Sequence, residues 1–290
     1  MSAYLAIDDL TVELNRQVPL LRGVSLSVDV GKVHGLVGES GAGKSLIGKS
    51  VLGILPDALT VKRGSILLDG QDLQTLKPKI RREVIGAKAA LIPQDPLTAL
   101  NPVRRIGPQI TRRLVDILGW TKSDAQARAL ELLDEVHIPD PERIMQTYPH
   151  ELSGGMRQRI LIASAFAAEP KLIVADEPTT ALDVTVQKRI LKLIREMQDR
   201  HGSALLFVTH DLGVISKTVQ SLSVLYSGRI KETAEMRAFF ASPQHPYSRS
   251  LLAATPKYTD PQGSLLPVSA EVTQTLDQEV AAWDREHGYV

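Results

Sequence analysis

The chain has 290 residues, 43% apolar and 23% charged, which suits an ordinary globular protein of one large domain or two modest ones. Its 34 Lys and Arg offset 33 Asp and Glu to a formal charge of +1, so no global field draws it to nucleic acid, and no nucleic-acid partner is expected. Having no cysteine excludes disulfides, Cys-ligated zinc or iron–sulfur clusters and a thiol nucleophile, and no apolar run approaches the ~18–20 residues of a membrane span.

Asp8 and Asp9 interrupt the stretch where a signal peptide would be apolar, so a cytosolic protein, or one held at a membrane only by partners, is expected. Leu10, Val12 and Leu14 alternate with polar residues, as do Val24, Leu26 and Val28, and both runs are predicted as half-buried strands. Val33-His34-Gly35-Leu36-Val37 reads as a strand buried on both faces. Ser65-Ile66-Leu67-Leu68 then runs into the turn pair Asp69-Gly70.

The middle of the chain changes period. Ser123-Asp124-Ala125-Gln126 reads as a capping box, followed by Leu130, Leu133 and Val136 at helical spacing. Residues 95–165 are predicted mostly helical, punctuated by Pro96, Pro102, Pro108, Pro139, Pro141 and Pro149. Strand–helix alternation returns with Leu172-Ile173-Val174-Ala175, a helix face at Val186, Ile190, Ile194 and Met197, and a third buried strand at Ala204–Val208. Buried strands alternating with helices imply an α/β fold with a mostly parallel sheet, the helical stretch being an insertion. A polar tail follows Pro256, with a short helix expected near Glu271–Trp283.

Gly38-Glu39-Ser40-Gly41-Ala42-Gly43-Lys44-Ser45 fits G-x-x-x-x-G-K-[ST] at every required position, between a predicted buried strand and a predicted helix. The glycines let the backbone wrap a phosphate with inward amide N–H groups, and the helix N-terminus adds partial positive charge. Lys44 brings a point charge to the β/γ-phosphates and Ser45 offers a hydroxyl to Mg²⁺.

Three further groups are weaker when read alone. Asp176 and Glu177 end a buried strand, where Asp176 can hold magnesium and Glu177 can polarise a water; a strand end with solvated acids fits equally well. Ser153-Gly154-Gly155 before a helix forms a second anion site, or simply a glycine-containing first turn. His210 stands just past the third buried strand, where ligands bind in such sheets and where capping residues also occur. Gln94 stands in the same relation to Ala89–Ile92.

Together and in order, these residues resemble the ATP-binding subunit of an ABC transporter over about Ile7–Pro256. The phosphate loop is similar to Walker A, Gln94 to the Q-loop glutamine, Leu152–Gln158 to the ABC signature and Leu172–Glu177 to Walker B. Ala181-Leu182-Asp183 is similar to the D-loop and His210 to the switch histidine. The resemblance implies a P-loop NTPase, RecA-like core with an N-terminal antiparallel β subdomain and an inserted α-helical subdomain at about 95–165. The ATP-binding domain would run over 1–256, with a short C-terminal tail at 257–290.

Gln94-Asp95-Pro96, Leu100-Asn101-Pro102, Tyr148-Pro149-His150-Glu151, Glu177–Thr185 and His245-Pro246-Tyr247 narrow the resemblance to the peptide/nickel importer branch. That branch implies ATP and Mg²⁺ as cofactors. Residues 38–45, Gln94, Ser153, Gly154, Gly155 and Asp183 would meet the nucleotide, while Ser45, Gln94 and Asp176 would meet the metal. Glu177 and His210 would be catalytic. Implied partners are two transmembrane permeases, a second homologous ATPase or second copy, and a periplasmic solute-binding protein, all at the cytoplasmic face of a bacterial inner membrane. Nickel or another small solute is the alternative cargo, and a soluble non-transport ABC ATPase the alternative of another class. Leu14 stands where family members stack an aromatic on adenine, and Pro93 where an aromatic commonly precedes the glutamine. Longer relatives carry a cysteine cluster after the ATPase domain, for which this cysteine-free chain has no ligands.

Overall fold

A computed structural model describes residues 3–255 and 268–289, apart from Ala181 and Lys217. The backbone divides into two units, Met1–Leu76 with Leu206–Val290, and Lys77–Leu205. The first unit opens with β1 (Ala3–Leu14), β2 (Val18–Asp29), β3 (Val33–Val37), α1 (Lys44–Val51), β4 (Leu59–Leu68) and β5 (Gln71–Asp72). The second holds α2 (Pro78–Lys88), β6 (Ala89–Ile92), α3 (Pro96–Ala99), α4 (Ile106–Asp116), α5 (Lys122–Glu135) and α6 (Pro141–Gln146). After a 3₁₀ turn at Pro149–Glu151 it continues with α7 (Gly154–Phe166), β7 (Leu172–Asp176) and α8 (Val184–His201). The chain passes back along β8 (Ala204–Thr209) into α9 (Leu212–Ile215), β9 (Ser221–Tyr226), β10 (Arg229–Glu235), α10 (Met236–Ala241), α11 (Pro246–Ala254) and α12 (Ala270–Glu286).

In the first unit an antiparallel sheet runs β2-β1-β4-β5, and a second group of strands runs β10-β9-β3-β8. β3 pairs parallel to β9, with Val37 beside Val224, while β9 and β10 form an antiparallel hairpin. All five residues of β3 are buried, as their lack of a polar face predicts. Asp69 and Gly70 both have positive φ and turn β4 into β5, the role expected of that pair.

β1 departs from the expected half-buried strand. Thr11 and Glu13 are buried along with Leu10 and Val12, so both faces are covered. The cover on the polar side comes from the far end of the chain. Trp283 stacks on His287 and Tyr289, and the Tyr289 hydroxyl hydrogen-bonds Glu13. The short helix expected near Glu271–Trp283 is the 17-residue α12, with Leu276 and Trp283 buried.

In the second unit β6 and β7 pair parallel with Ile92 opposite Ala175. Residues 95–165 are helical as predicted, with Pro96 and Pro141 starting helices, where the missing N–H is harmless. The capping box at Ser123 is corrected. The N-cap of α5 is Thr121, whose Oγ1 accepts from the Asp124 N–H at 3.1 Å. Starting there turns Ala125, Ala129, Leu132 and Leu133 inward, whereas Leu130 is only half-buried. A register set by the buried face outweighs a local capping pattern.

Candidate functional site

In the first unit β3 delivers the chain into the loop Gly38–Ser45. Gly38 cannot be replaced without moving the loop, because an added Cβ would lie 2.2 Å from the Leu225 carbonyl oxygen. Gly43, at φ 101°, is the left-handed N-cap of α1, and its missing side chain admits Leu21. No side chain caps α1, so its first turn faces the loop. The Lys44 ammonium, almost wholly buried, donates to the carbonyls of Gly38 and Glu39, each at 2.8 Å. These two contacts offset part of the cost of burying its charge beside the loop. β8, the neighbour of β3, ends at Thr209, and exposed His210 follows. Asp211, not His210, caps the next helix, accepting from the N–H groups of Gly213 and Val214. The histidine is therefore not spent on capping.

The second unit carries the carboxylate corner. Parallel pairing of Ile92 with Ala175 puts Gln94 and Glu177 each two residues beyond a paired residue, and their side chains meet. Gln94 Nε2 donates to Glu177 Oε2 at 3.2 Å, and Thr180 Oγ1 donates to the same oxygen at 2.9 Å. Glu177 has φ 46°, a left-handed conformation uncommon for a residue with a Cβ. Gln158 of α7, buried, donates to the Pro178 carbonyl at 2.9 Å and ties the signature helix to this corner.

Ser153 is the N-cap of α7, its Oγ accepting from the Met156 N–H at 3.3 Å. Gly154 and Gly155 adopt helical backbone, and a Cβ on either would meet no atom within 4 Å. Among the described residues, neither backbone conformation nor packing calls for glycine there. Asp183 caps α8, accepting from Thr185 and Val186, so its carboxylate is already engaged. Ala181 lies outside the described residues. Leu14 ends β1 half-buried, opposite Val18 and Leu59, two further aliphatic residues. Thr180 and Gln158 had no role from sequence, since only a fold that folds back on Glu177 gives them one.

A glycine-rich loop between a buried strand and a helix, a strand-end Asp-Glu pair, and antiparallel and helical additions define a P-loop NTPase fold. The family model described as "ABC transporter" matches residues 21–180. This chain belongs to the ABC transporter family and is an ATP-binding subunit that hydrolyses ATP in support of transport. It is 41% identical over 279 residues to the dipeptide transport ATP-binding protein DppD of Escherichia coli (strain K12), covering 95% of this chain and 85% of that one. It is 43% identical over 260 residues to the oligopeptide transport ATP-binding protein OppD of Bacillus subtilis (strain 168), covering 88% and 73%. Among solved structures, cbiO1 from Clostridium perfringens, part of the ABC transporter complex cbiONQ, shares the fold at a TM-score of 0.73. That match has 24% identity and covers 83% of this chain and 92% of that one.

Proposed function

We propose that this chain energises a peptide importer by hydrolysing Mg²⁺-ATP at the loop Gly38–Ser45, with Glu177 as the general base. The observation that carries the reading is the Glu177 carboxylate, turned by a left-handed backbone and held by Gln94 and Thr180. Peptide as cargo rests on the names of the relatives, which transport dipeptides and oligopeptides. Lys44, freed from two loop carbonyls, meets the β/γ-phosphates, and the first-turn amides of α1 hold their oxygens. The Ser45 hydroxyl, Gln94 amide oxygen and Asp176 carboxylate are hard oxygen donors of the kind Mg²⁺ accepts alongside phosphate; they would hold the ion, which would supply charge neutralisation at the phosphates. Water adds to the γ-phosphorus as the bond to the β–γ bridging oxygen breaks, giving ADP and phosphate, while its proton passes to Glu177. His210 steadies the γ-phosphate and that water.

The open face of Gly154 and Gly155 supports a head-to-tail pair, in which Ser153, Gly154 and Gly155 close on a γ-phosphate held by another ATPase subunit. Asp183 then contributes from the shared boundary. Two membrane permeases contact the helical unit, a solute-binding protein feeds them, and the chain sits peripherally at the cytoplasmic face of the inner membrane. Among the described residues no helix is long and apolar enough to cross a membrane, which fits that placement.

The test is Glu177→Gln in the assembled transporter. ATP binding should persist while turnover falls by about 10²–10⁴, the usual worth of a general base. Turnover at the wild-type rate would remove Glu177 from that role.

A further inference from the structure

Neither the His245-Pro246-Tyr247 run nor α12 takes part in the chemistry above, yet both contact Tyr226, beside the turn whose Gly228 hydrogen-bonds the phosphate loop, wholly within the first unit. Glu232 of β10 accepts from the N–H groups of Gln244 and His245 at 2.9 and 2.8 Å, and His245 Nδ1 accepts from the Tyr247 N–H at 3.1 Å. With Pro246 as the first residue of α11, these contacts seat Tyr247, which is fully buried. Its ring meets Tyr226 edge to face at 5.1 Å. Its hydroxyl is buried with no hydrogen-bond partner among the described residues.

A second chain of contacts starts on α12. Asp284 takes a two-pronged hydrogen bond from Arg22 at 2.7 and 3.0 Å, and Arg22 Nη1 donates to the Ser227 carbonyl at 2.8 Å. The Arg22 N–H donates to the Gly228 carbonyl, and the Gly228 N–H donates to the Ala42 carbonyl at 2.8 Å. Tyr226 donates to Asp277 of the same helix at 2.8 Å. The turn at residues 226–228 is thus held between α12 and the loop.

We propose that α11 and α12 brace the phosphate loop through the turn at residues 226–228, with Asp284 as the positioning residue that sets its affinity for nucleotide. Lys44 must leave the carbonyls of Gly38 and Glu39 to reach a phosphate. A loop held at Ala42 keeps its shape when the ammonium departs, so less ordering remains to be done on binding. This inference rests on Gly38–Ser45 being the nucleotide site.

The experiment titrates the full chain with a fluorescent ATP analogue, measures KM and kcat for ATP, and records thermal unfolding without nucleotide. Asp284→Asn removes the charge; Asp284→Glu is the conservative variant. Asp284→Asn should weaken nucleotide binding by about three- to tenfold. KM should rise more than kcat falls, and Asp284→Glu should recover part of the affinity. Wild-type affinity in Asp284→Asn, or a loss seen only with a matching fall in melting temperature, would overturn the brace. Lys44→Ala separates the two claims: nucleotide binding at wild-type strength in that variant would overturn the loop assignment itself.

Discussion

His34 shows how one residue beside the nucleotide loop carries a pH dependence of its own. It is buried in β3 between Ser221 Oγ at 2.8 Å and Ser223 Oγ at 2.9 Å, and Ser223 pairs in turn with Thr233. Burial lowers its pKa to about 4, because the imidazolium would lose water and find only hydroxyls. The unfolded chain binds a proton there near pH 6.5, so the folded state is favoured fully above that pH and loses the advantage as pH falls toward 4. The loss amounts to about 3 kcal/mol across that window. Denaturant unfolding at pH 7 and pH 4.5 should show it, and His34→Gln should flatten that part of the profile; an unchanged slope in the variant would assign the dependence to other groups. The placement of Glu177 has the same local character, since φ 46° and two donors hold one carboxylate that no sequence pattern alone would fix.

At the scale of elements, the cap of α5 can be tested directly. Thr121→Ala should cost about 1 kcal/mol, the usual worth of an N-cap, whereas Ser123→Ala should stay within about 0.5 kcal/mol. Equal costs at both positions, read from denaturation midpoints, would restore the capping box at Ser123. The same helix shows what sequence can and cannot carry. Continuous apolar runs such as Leu172–Ala175 and Ala204–Val208 were legible because burial on both faces leaves no polar side to misread. Motif residues at strand ends were legible because spacing alone places them. Thr121 was missed because Ser123 offers an equally good local pattern, and only the inward face of Ala125, Ala129, Leu132 and Leu133 decides between them. The burial of Thr11 and Glu13 was missed for another reason: the side chain that covers Glu13, Tyr289, lies 276 positions away. Roles for Thr180, Gln158 and Tyr247 likewise come from contacts that no period or spacing encodes.

At the scale of the whole molecule, one substitution tests the proposed head-to-tail pair. Ser153→Arg removes a cap worth about 1 kcal/mol and places a long cation beside the open face of Gly154 and Gly155. Nucleotide binding by the isolated chain should be unchanged, because Lys44 and its loop are untouched, while ATPase activity of the full transporter should collapse. Loss of binding in the isolated chain would mean that Ser153 serves its own chain's nucleotide. The division of the backbone has a consequence for synthesis as well. The first unit draws on both Met1–Leu76 and Leu206–Val290, so β3 emerges from the ribosome long before its partner β9 exists. At ~5–20 residues per second, translating the segment between them takes roughly 10–40 s. Throughout that interval the strand Val33–Val37 and the glycine loop after it have no β9 to pair with, whereas Lys77–Leu205 is complete before β9 is made. A nascent chain stalled before Leu206 should therefore call on holding chaperones through its first 76 residues rather than through its helical segment.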